Sequence, residues 1–208
     1  MWPGMLRQTR SSPPGGQCSG RVTVPLGPNG RCAEMHVTIR TAVSVDDYRE
    51  LIREYTDWCR ARYVHDRWFV DAAFGHQSLD AELQNLPAAY GPPNGKTLVA
   101  TIGDQIHGAC AYRRLSDEVC EMKRLFVPAR FQGHGIGRRL GEAIMAAASG
   151  DGYTLMRLDT ASRLTEAIAL YKSLGFRDRA PYHQYPDDLM PHIVFMEREL
   201  GEPLSISD

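Results

Sequence analysis

The sequence predicts an α/β fold built on a mixed sheet, on three observations. Segments with strand alternation and segments with helical spacing interchange along the chain. Three strand candidates follow one another between residues 96 and 127, joined by short turns. A glycine-rich stretch then carries an apolar strand directly into a helix.

The elements run in order from His36. "HVTIR" (36–40) alternates, with Val37 and Ile39 on one face. Ser44 and the acids after it open a helix in which Leu51, Tyr55, Trp58 and Tyr63 recur near helical spacing. A second short helix fits residues 78–86, with Pro87 expected to stop it, and "YGPPNG" is a turn cluster. "KTLVATIG", "QIHGACAYRRL" and "EVCEMKRLFV" are the three consecutive strands, joined by Gly103-Asp104 and Ser116-Asp117, the pattern of an antiparallel meander. Leu140, Ala143, Ile144 and Ala147 line one face of the next helix, which ends at Gly150-Asp151-Gly152. "YTLMRLDT" is a buried-strand run. In "SRLTEAIALYKSLGF" Leu164, Ala167, Ile168, Tyr171 and Leu174 share a helix face, and Gly175 stands where a left-handed cap belongs. "HIVFMEREL" (192–200) closes the domain.

Composition narrows the function. The 208 residues suffice for one domain plus a tail, and Lys+Arg 24 against Asp+Glu 25 gives a net charge of −1, which does not suit a dedicated nucleic-acid binder. The five cysteines are widely spaced with no C-x-x-C, which argues against a disulfide framework or a zinc knuckle and for a reducing, cytoplasmic setting. No stretch approaches 18 apolar residues, so no membrane span is expected, and the N-terminus does not read as a secretory signal. Residues 1–34, rich in Gly, Pro, Ser and Arg without a sustained period, are expected to be a disordered extension. The predicted domain spans 35–202 and a short tail 203–208.

The stretch "RFQGHGIGRRL" (130–140) carries the chemistry. A dinucleotide fingerprint G-x-G-x-x-G fails, because the last position is Arg138 counted from Gly133 and Leu140 counted from Gly135. A P-loop fails as well: five residues before Gly95 of Gly95-Lys96-Thr97 stands Tyr90, and a strand follows. What remains is strand, Gln132-x-x-Gly135-x-Gly137, helix. Glycines admit close approach of an anion, and the first-turn N–H groups of a helix lack intrahelical partners and favour negative charge. A pyrophosphate fits such a site, with Arg138 and Arg139 beside it. The alternative is a tight strand-to-helix loop with no ligand.

The flanking residues favour the ligand-binding reading. "RLFVPARFQGHGIGRRLGEAI" resembles the (Gln/Arg)-x-x-Gly-x-(Gly/Ala) motif of the GNAT superfamily of acyl-CoA-dependent N-acyltransferases. "AIALYKSLGF" is similar to that superfamily's second signature, a helix carrying a Tyr and ending in Gly-Phe. The two motifs cover about residues 118–177, and strand-helix order extends the likeness to about 36–200; "CEMKRLFV", "LDT" and "FMEREL" look like a group of bacterial GNAT-type predicted acetyltransferases. The resemblance implies a mostly antiparallel central sheet flanked by helices and splayed between its fourth and fifth strands, with acetyl-CoA as co-substrate and no metal. It implies that Leu125, Phe126 and Val127 pair with the acyl-pantetheine arm, and that Gln132, Gly133, His134, Gly135, Ile136, Gly137 and Arg138 hold the phosphates. Many relatives carry Asn where this chain has Leu164, so no amide contact to the arm is implied there.

Acetyl transfer from a thioester to an amine requires a deprotonated amine, donors for the developing oxyanion and an acid for the departing thiolate. By resemblance Tyr171 is the acid; its other reading is a core aromatic on the helix stripe. Glu121 resembles the glutamate base of histone-type relatives; its other reading is a strand carboxylate paired with Lys123 or Arg124. His134 reads as a phosphate neighbour, and His183, between Tyr182 and Tyr185, as a group shaping the acceptor pocket. The expected function is an acetyl-CoA-dependent N-acetyltransferase acting by direct attack in a ternary complex on a small-molecule or protein amine. A homodimer is allowed, and neither nucleic acid nor membrane is expected as a partner. The alternative is a non-catalytic acyl-CoA-binding module acting as a sensor or interaction domain.

Overall fold

The computed structural model describes residues 18–26, 31–42, 45–77 and 79–201. Among the described residues eight strands form one sheet: β1 (Cys18–Leu26), β2 (Arg31–Thr41), β3 (Gly95–Ile102), β4 (Gln105–Arg114), β5 (Val119–Phe126), β6 (Leu155–Ala161), β7 (Arg177–Asp178) and β8 (Ile193–Glu199). Their order is β1-β2-β3-β4-β5-β6-β8-β7. Among the described residues only β5 and β6 pair in parallel. The helices are α1 (Val45–Arg62), α2 (Arg67–His76), α3 (Leu79–Gln84), α4 (Leu86–Tyr90), α5 (Ile136–Gly150) and α6 (Thr165–Ser173).

Both faces of the central strands are buried, as the nearly continuous apolar runs of β3 and β4 require. Leu98, Ala100, Ile102, Cys110 and Met122 face α5, packing with Leu140 and Ile144. Val99, Ala109, Ala111 and Phe126 face the other way, against Tyr48, Leu51 and Ile52 of α1. Gly108 permits the close approach on the α5 side, since a Cβ there would lie 3.0 Å from Leu140 Cδ1 and 3.1 Å from the Phe126 carbonyl.

Four differences from the sequence reading have physical reasons. Cys18–Leu26 pairs with β2 from Cys18↔Ile39 to Leu26↔Arg31, so strand structure reaches into the segment read as a disordered extension; residues 1–17 and 27–30 lie outside the described residues. The β-branched residues of "RVTV" supply the strand preference that the surrounding Gly and Pro obscured. Residues 78–86 do not form one helix stopped by Pro87. Pro87 sits in the first turn of α4, where no N–H is needed, and Asn85 Oδ1 caps that helix by accepting from Ala88 N–H at 3.3 Å. Helix α2, with buried Phe69 and Val70, was not anticipated, and neither was the two-residue β7.

The predicted splay lies between β5 and β6, the fourth and fifth strands counted from 36–40. Their ladder holds Val119↔Leu155, Cys120↔Met156 and Glu121↔Arg157 and then stops, although β5 continues to Phe126 and β6 to Ala161. A bulge bends β5 at this point. Ala111 pairs with Lys123 but Ala109 with Phe126, which puts one extra residue on β5, and Arg124 adopts a left-handed φ of 55°. The extra residue inverts the side-chain alternation: Met122 belongs to the α5-side core, Phe126 to the α1-side core.

Candidate active site

A cavity of about 490 Å³ occupies the splay. Its floor is β5 from Met122 to Phe126 with Val127 beyond it, one wall is the loop 131–138 with α6, and the opposite wall is α1 and α2.

The loop wall is built for an anion. Gly133 (φ 80°) and Gly135 (φ 75°) take left-handed conformations, and a Cβ on either would project into open space. The first intrahelical bond of α5 runs from Arg139 N–H to the Gly135 carbonyl at 3.1 Å, so the N–H groups of Ile136, Gly137 and Arg138 have no partner within the helix. Ile136, 1% exposed, anchors this turn in the core. Arg138 lies exposed at the mouth, donating to Ser173 Oγ at 2.7 Å. Gln132 donates through Nε2 to the Val127 carbonyl at 2.8 Å and so ties the loop to the end of β5. Leu125, Phe126, Val127, Gln132, Gly133, Gly135, Ile136, Gly137 and Arg138 all border the cavity; His134 is not among its lining residues.

Tyr171 borders the same cavity from α6. Its position is fixed by a Schellman cap: Gly175 N–H donates to the Lys172 carbonyl at 3.0 Å and Phe176 N–H to the Tyr171 carbonyl at 3.0 Å. The ring is 8% exposed and meets Phe176 edge-on at 6.0 Å, the apolar contact that accompanies this cap. Burial pushes the Tyr171 hydroxyl well above the ordinary phenol range, so it remains protonated at neutral pH.

Glu121 does not border the cavity. Its fully buried carboxylate accepts from Arg113 Nε at 2.6 Å, His183 Nε2 at 2.8 Å and Tyr182 Oη at 2.9 Å, with Lys123 Nζ at 3.8 Å. Burial alone would raise its pKa; Lys123, the His183 hydrogen bond and Arg113 outweigh burial and hold it well below the usual carboxylate range. This is the geometry of a paired strand carboxylate, with Arg113 and Lys123 as partners rather than Arg124. His183 is thereby spent on Glu121 and is not among the residues lining the cavity.

Sequence reasoning missed two charged groups on the wall. Asp159 of β6, with a side chain 2% exposed, accepts from Lys123 Nζ at 2.8 Å and from Tyr185 Oη. Burial would raise its pKa, but Lys123 reverses the sign and keeps it an anion. The signal was a lone acid inside the buried run "LMRLDT". Arg124, at the bulge, makes two 2.8 Å bonds to the Glu82 carboxylate and one of 2.8 Å to Gln77 Oε1. Its signal was the adjacent Lys-Arg pair that breaks the β5 alternation. Among the described residues no group of three or more His, Cys, Asp or Glu side chains is arranged to hold a metal ion.

The rest of the α1–α2 wall is aromatic. Tyr55 stacks on Trp58 at 6.5 Å and meets Phe74 at 5.7 Å and Phe126 at 5.1 Å, with Tyr63 and Phe69 beyond.

Residues 93–178 match the family described as acetyltransferase (GNAT) domain. An uncharacterized N-acetyltransferase of Schizosaccharomyces pombe is 32% identical over 166 residues, covering 79% of this chain and 93% of the relative. N-acetylaspartate synthetase of Danio rerio is 31% identical over 56% of this chain, which spans 42% of that longer protein. Among solved structures, an acetyltransferase from Streptococcus agalactiae superposes with a TM-score of 0.61 at 18% identity, covering 79% of this chain and 98% of the other, a likeness of fold.

Proposed function

Because the chain belongs to the GNAT acetyltransferase family and is an N-acetyltransferase, we propose that acetyl-CoA lies in the splay, that its pyrophosphate rests on the first turn of α5, and that Tyr171 serves the departing sulfur. The observation that carries this reading is the single cavity bordered by both the unpaired α5 N–H groups and Tyr171. The residues fit the group: left-handed Gly133 and Gly135 leave open the space a side chain would fill, and Arg138 stands at the mouth.

Bound acetyl-CoA supplies a thioester, whose carbonyl carbon is the electrophile. The β5 backbone beyond Glu121 has no partner strand on the β6 side and supplies pairing for the pantetheine arm and an N–H toward the thioester oxygen. The amine lone pair forms the new C–N bond, the C–S bond breaks with its electron pair on sulfur, the protonated Tyr171 hydroxyl donates to that sulfur, and the proton shed by the nitrogen as the amide forms passes to solvent, from which Tyr171 is reprotonated. Glu121 takes no part as a base, since its oxygens are occupied by donors away from the cavity and those donors lower its proton affinity. Asp159 is a poor base, because Lys123 lowers its proton affinity and Lys123 and Tyr185 occupy its oxygens. The substrate is therefore the free amine, its proton lost to solvent before attack.

We place the enzyme in the cytoplasm, a reading supported by the buried free thiols of Cys59, Cys110 and Cys120 and by the absence, among the described residues, of any helix long and apolar enough to cross a membrane. The catalytic domain is taken as 35–202. The test is an amine panel with acetyl-CoA, followed by free-thiol release. Amine-dependent release supports the reading, and CoA binding without release for any amine returns the chain to the role of a binding module.

A further inference from the structure

Where the β5–β6 ladder stops, the two strands remain joined through their side chains. Lys123 and Asp159, 36 residues apart like every pair of that ladder, stand where the next pair on the same face would form. The described ladder ends at Glu121↔Arg157 and does not reach them. Instead Lys123 Nζ donates to Asp159 Oδ1 at 2.8 Å, the two side chains being 7% and 2% exposed. A second path joins the same strands. Arg124, at the bulge, donates through Nη1 to Gln77 Oε1 at 2.8 Å. Gln77 Nε2 donates to Tyr185 Oη at 3.1 Å, and Tyr185 Oη donates to Asp159 Oδ2. One β6 carboxylate is thus tied to two consecutive β5 residues, directly to Lys123 and through Tyr185 and Gln77 to Arg124. Lys123, Arg124, Gln77 and Asp159 all border the cavity.

The strands so joined serve different parts of the reaction. The end of β5 offers the backbone for the arm and the thioester oxygen, whereas β6 runs through Ala161 toward α6, which carries Tyr171. Beyond Glu121↔Arg157 the backbone ladder no longer sets their separation. An arm that pairs with β5 while its sulfur meets Tyr171 binds best when that separation is fixed beforehand. A buried, hydrogen-bonded ion pair suits that task, because removing either partner leaves the other charge uncompensated away from water. We propose that Asp159 is a positioning residue, whose bonds to Lys123 and, through Tyr185 and Gln77, to Arg124 hold the splay at the width that receives the acyl-pantetheine arm. This rests on the reading that the arm lies in the splay.

Lys123→Met combined with Asp159→Leu removes the tie and leaves apolar side chains of similar size, an exchange that buried ion pairs often tolerate without loss of stability. Glu121 keeps Arg113, Tyr182 and His183, and Tyr185 keeps Gln77. Calorimetry on the full chain compares acetyl-CoA with the CoA nucleotide that lacks the pantetheine arm, in wild type and double variant, with Tm measured alongside. The expected result is a Tm near that of the wild type, acetyl-CoA affinity lower by about tenfold or more, and nucleotide affinity unchanged within about twofold. Acetyl-CoA bound as tightly as by the wild type, or both ligands weakened alike, overturns the inference. Should the double variant not fold, the isosteric Asp159→Asn is compared with Glu121→Gln, whose carboxylate lies off the cavity. Selective loss of acetyl-CoA affinity in Asp159→Asn alone supports the tie; equal loss in both, or in neither, overturns it. A wild type that binds acetyl-CoA no better than the arm-free nucleotide overturns the reading of the splay itself, and this inference with it.

Discussion

Tyr171→Phe removes one oxygen from a ring that is 8% exposed and packed against Phe176. Among the described residues no group hydrogen-bonds that hydroxyl. Its loss should therefore cost folding less than the ~1 kcal/mol of an ordinary buried hydrogen bond. The loss of turnover should be much larger. A general acid contributes roughly 10²-fold or more, which at ~1.4 kcal/mol per tenfold is about 2.7 kcal/mol of barrier. The assay is thiol release at saturating acetyl-CoA and amine, with CoA affinity by calorimetry and Tm by thermal melt on the same preparation. Near-wild-type affinity and Tm with kcat down about 100-fold is the expected outcome. Because burial raises the Tyr171 pKa above its usual value near 10, wild-type turnover should not fall as pH rises to 10. A kcat within a few-fold of wild type would refute the assignment and leave Tyr171 as a core aromatic.

Glu121→Gln should cost about 3 kcal/mol by breaking a buried ion cluster, yet leave the shape of the pH–rate profile unchanged. The sign of its stability effect follows from the lowered pKa. The wild-type carboxylate stabilises the fold above its unfolded pKa of about 4.3, and that contribution is lost as pH falls through the folded value, so wild-type Tm should drop more steeply in acid than the variant's. Gly135→Val forces a β-branched residue to φ 75° and should weaken CoA binding by roughly 10–100-fold in calorimetry, against about 1–3 kcal/mol in denaturant unfolding. Since no wall carboxylate serves as base, kcat/KM should climb with pH until it levels at the pKa of the acceptor itself; a plateau at one fixed pH for amines of different pKa would reveal an enzyme base.

Much of the site was legible in the sequence, because it depends on local backbone chemistry. Gly133, Gly135 and Gly137 announce a strand-to-helix turn with free N–H groups, and Gly175 announces the cap that holds Tyr171 in place. What was not legible depends on contacts between distant residues. Glu121 has the right residue type on the strand, but its hydrogen-bond partners are Arg113 on β4 and Tyr182 and His183 some sixty residues on. The Lys-Arg pair that breaks the β5 alternation marks the bulge at Arg124, but the partners that hold its arginine, Gln77 and Glu82, come from another part of the chain. Helix α2 escaped because "RWFVDAAFGH" mixes aromatic, branched and glycine residues with little helix preference of their own; burial of Phe69 and Val70 decides it.

The most direct test of the central claim follows the backbone amides of Ile136, Gly137 and Arg138 by NMR while CoA is titrated into the full chain. These three N–H groups lack partners within α5, and on this account the pyrophosphate becomes their partner. All three resonances should move downfield together, saturating with the same Kd that calorimetry reports. CoA binding that leaves these three amides unmoved would contradict the account.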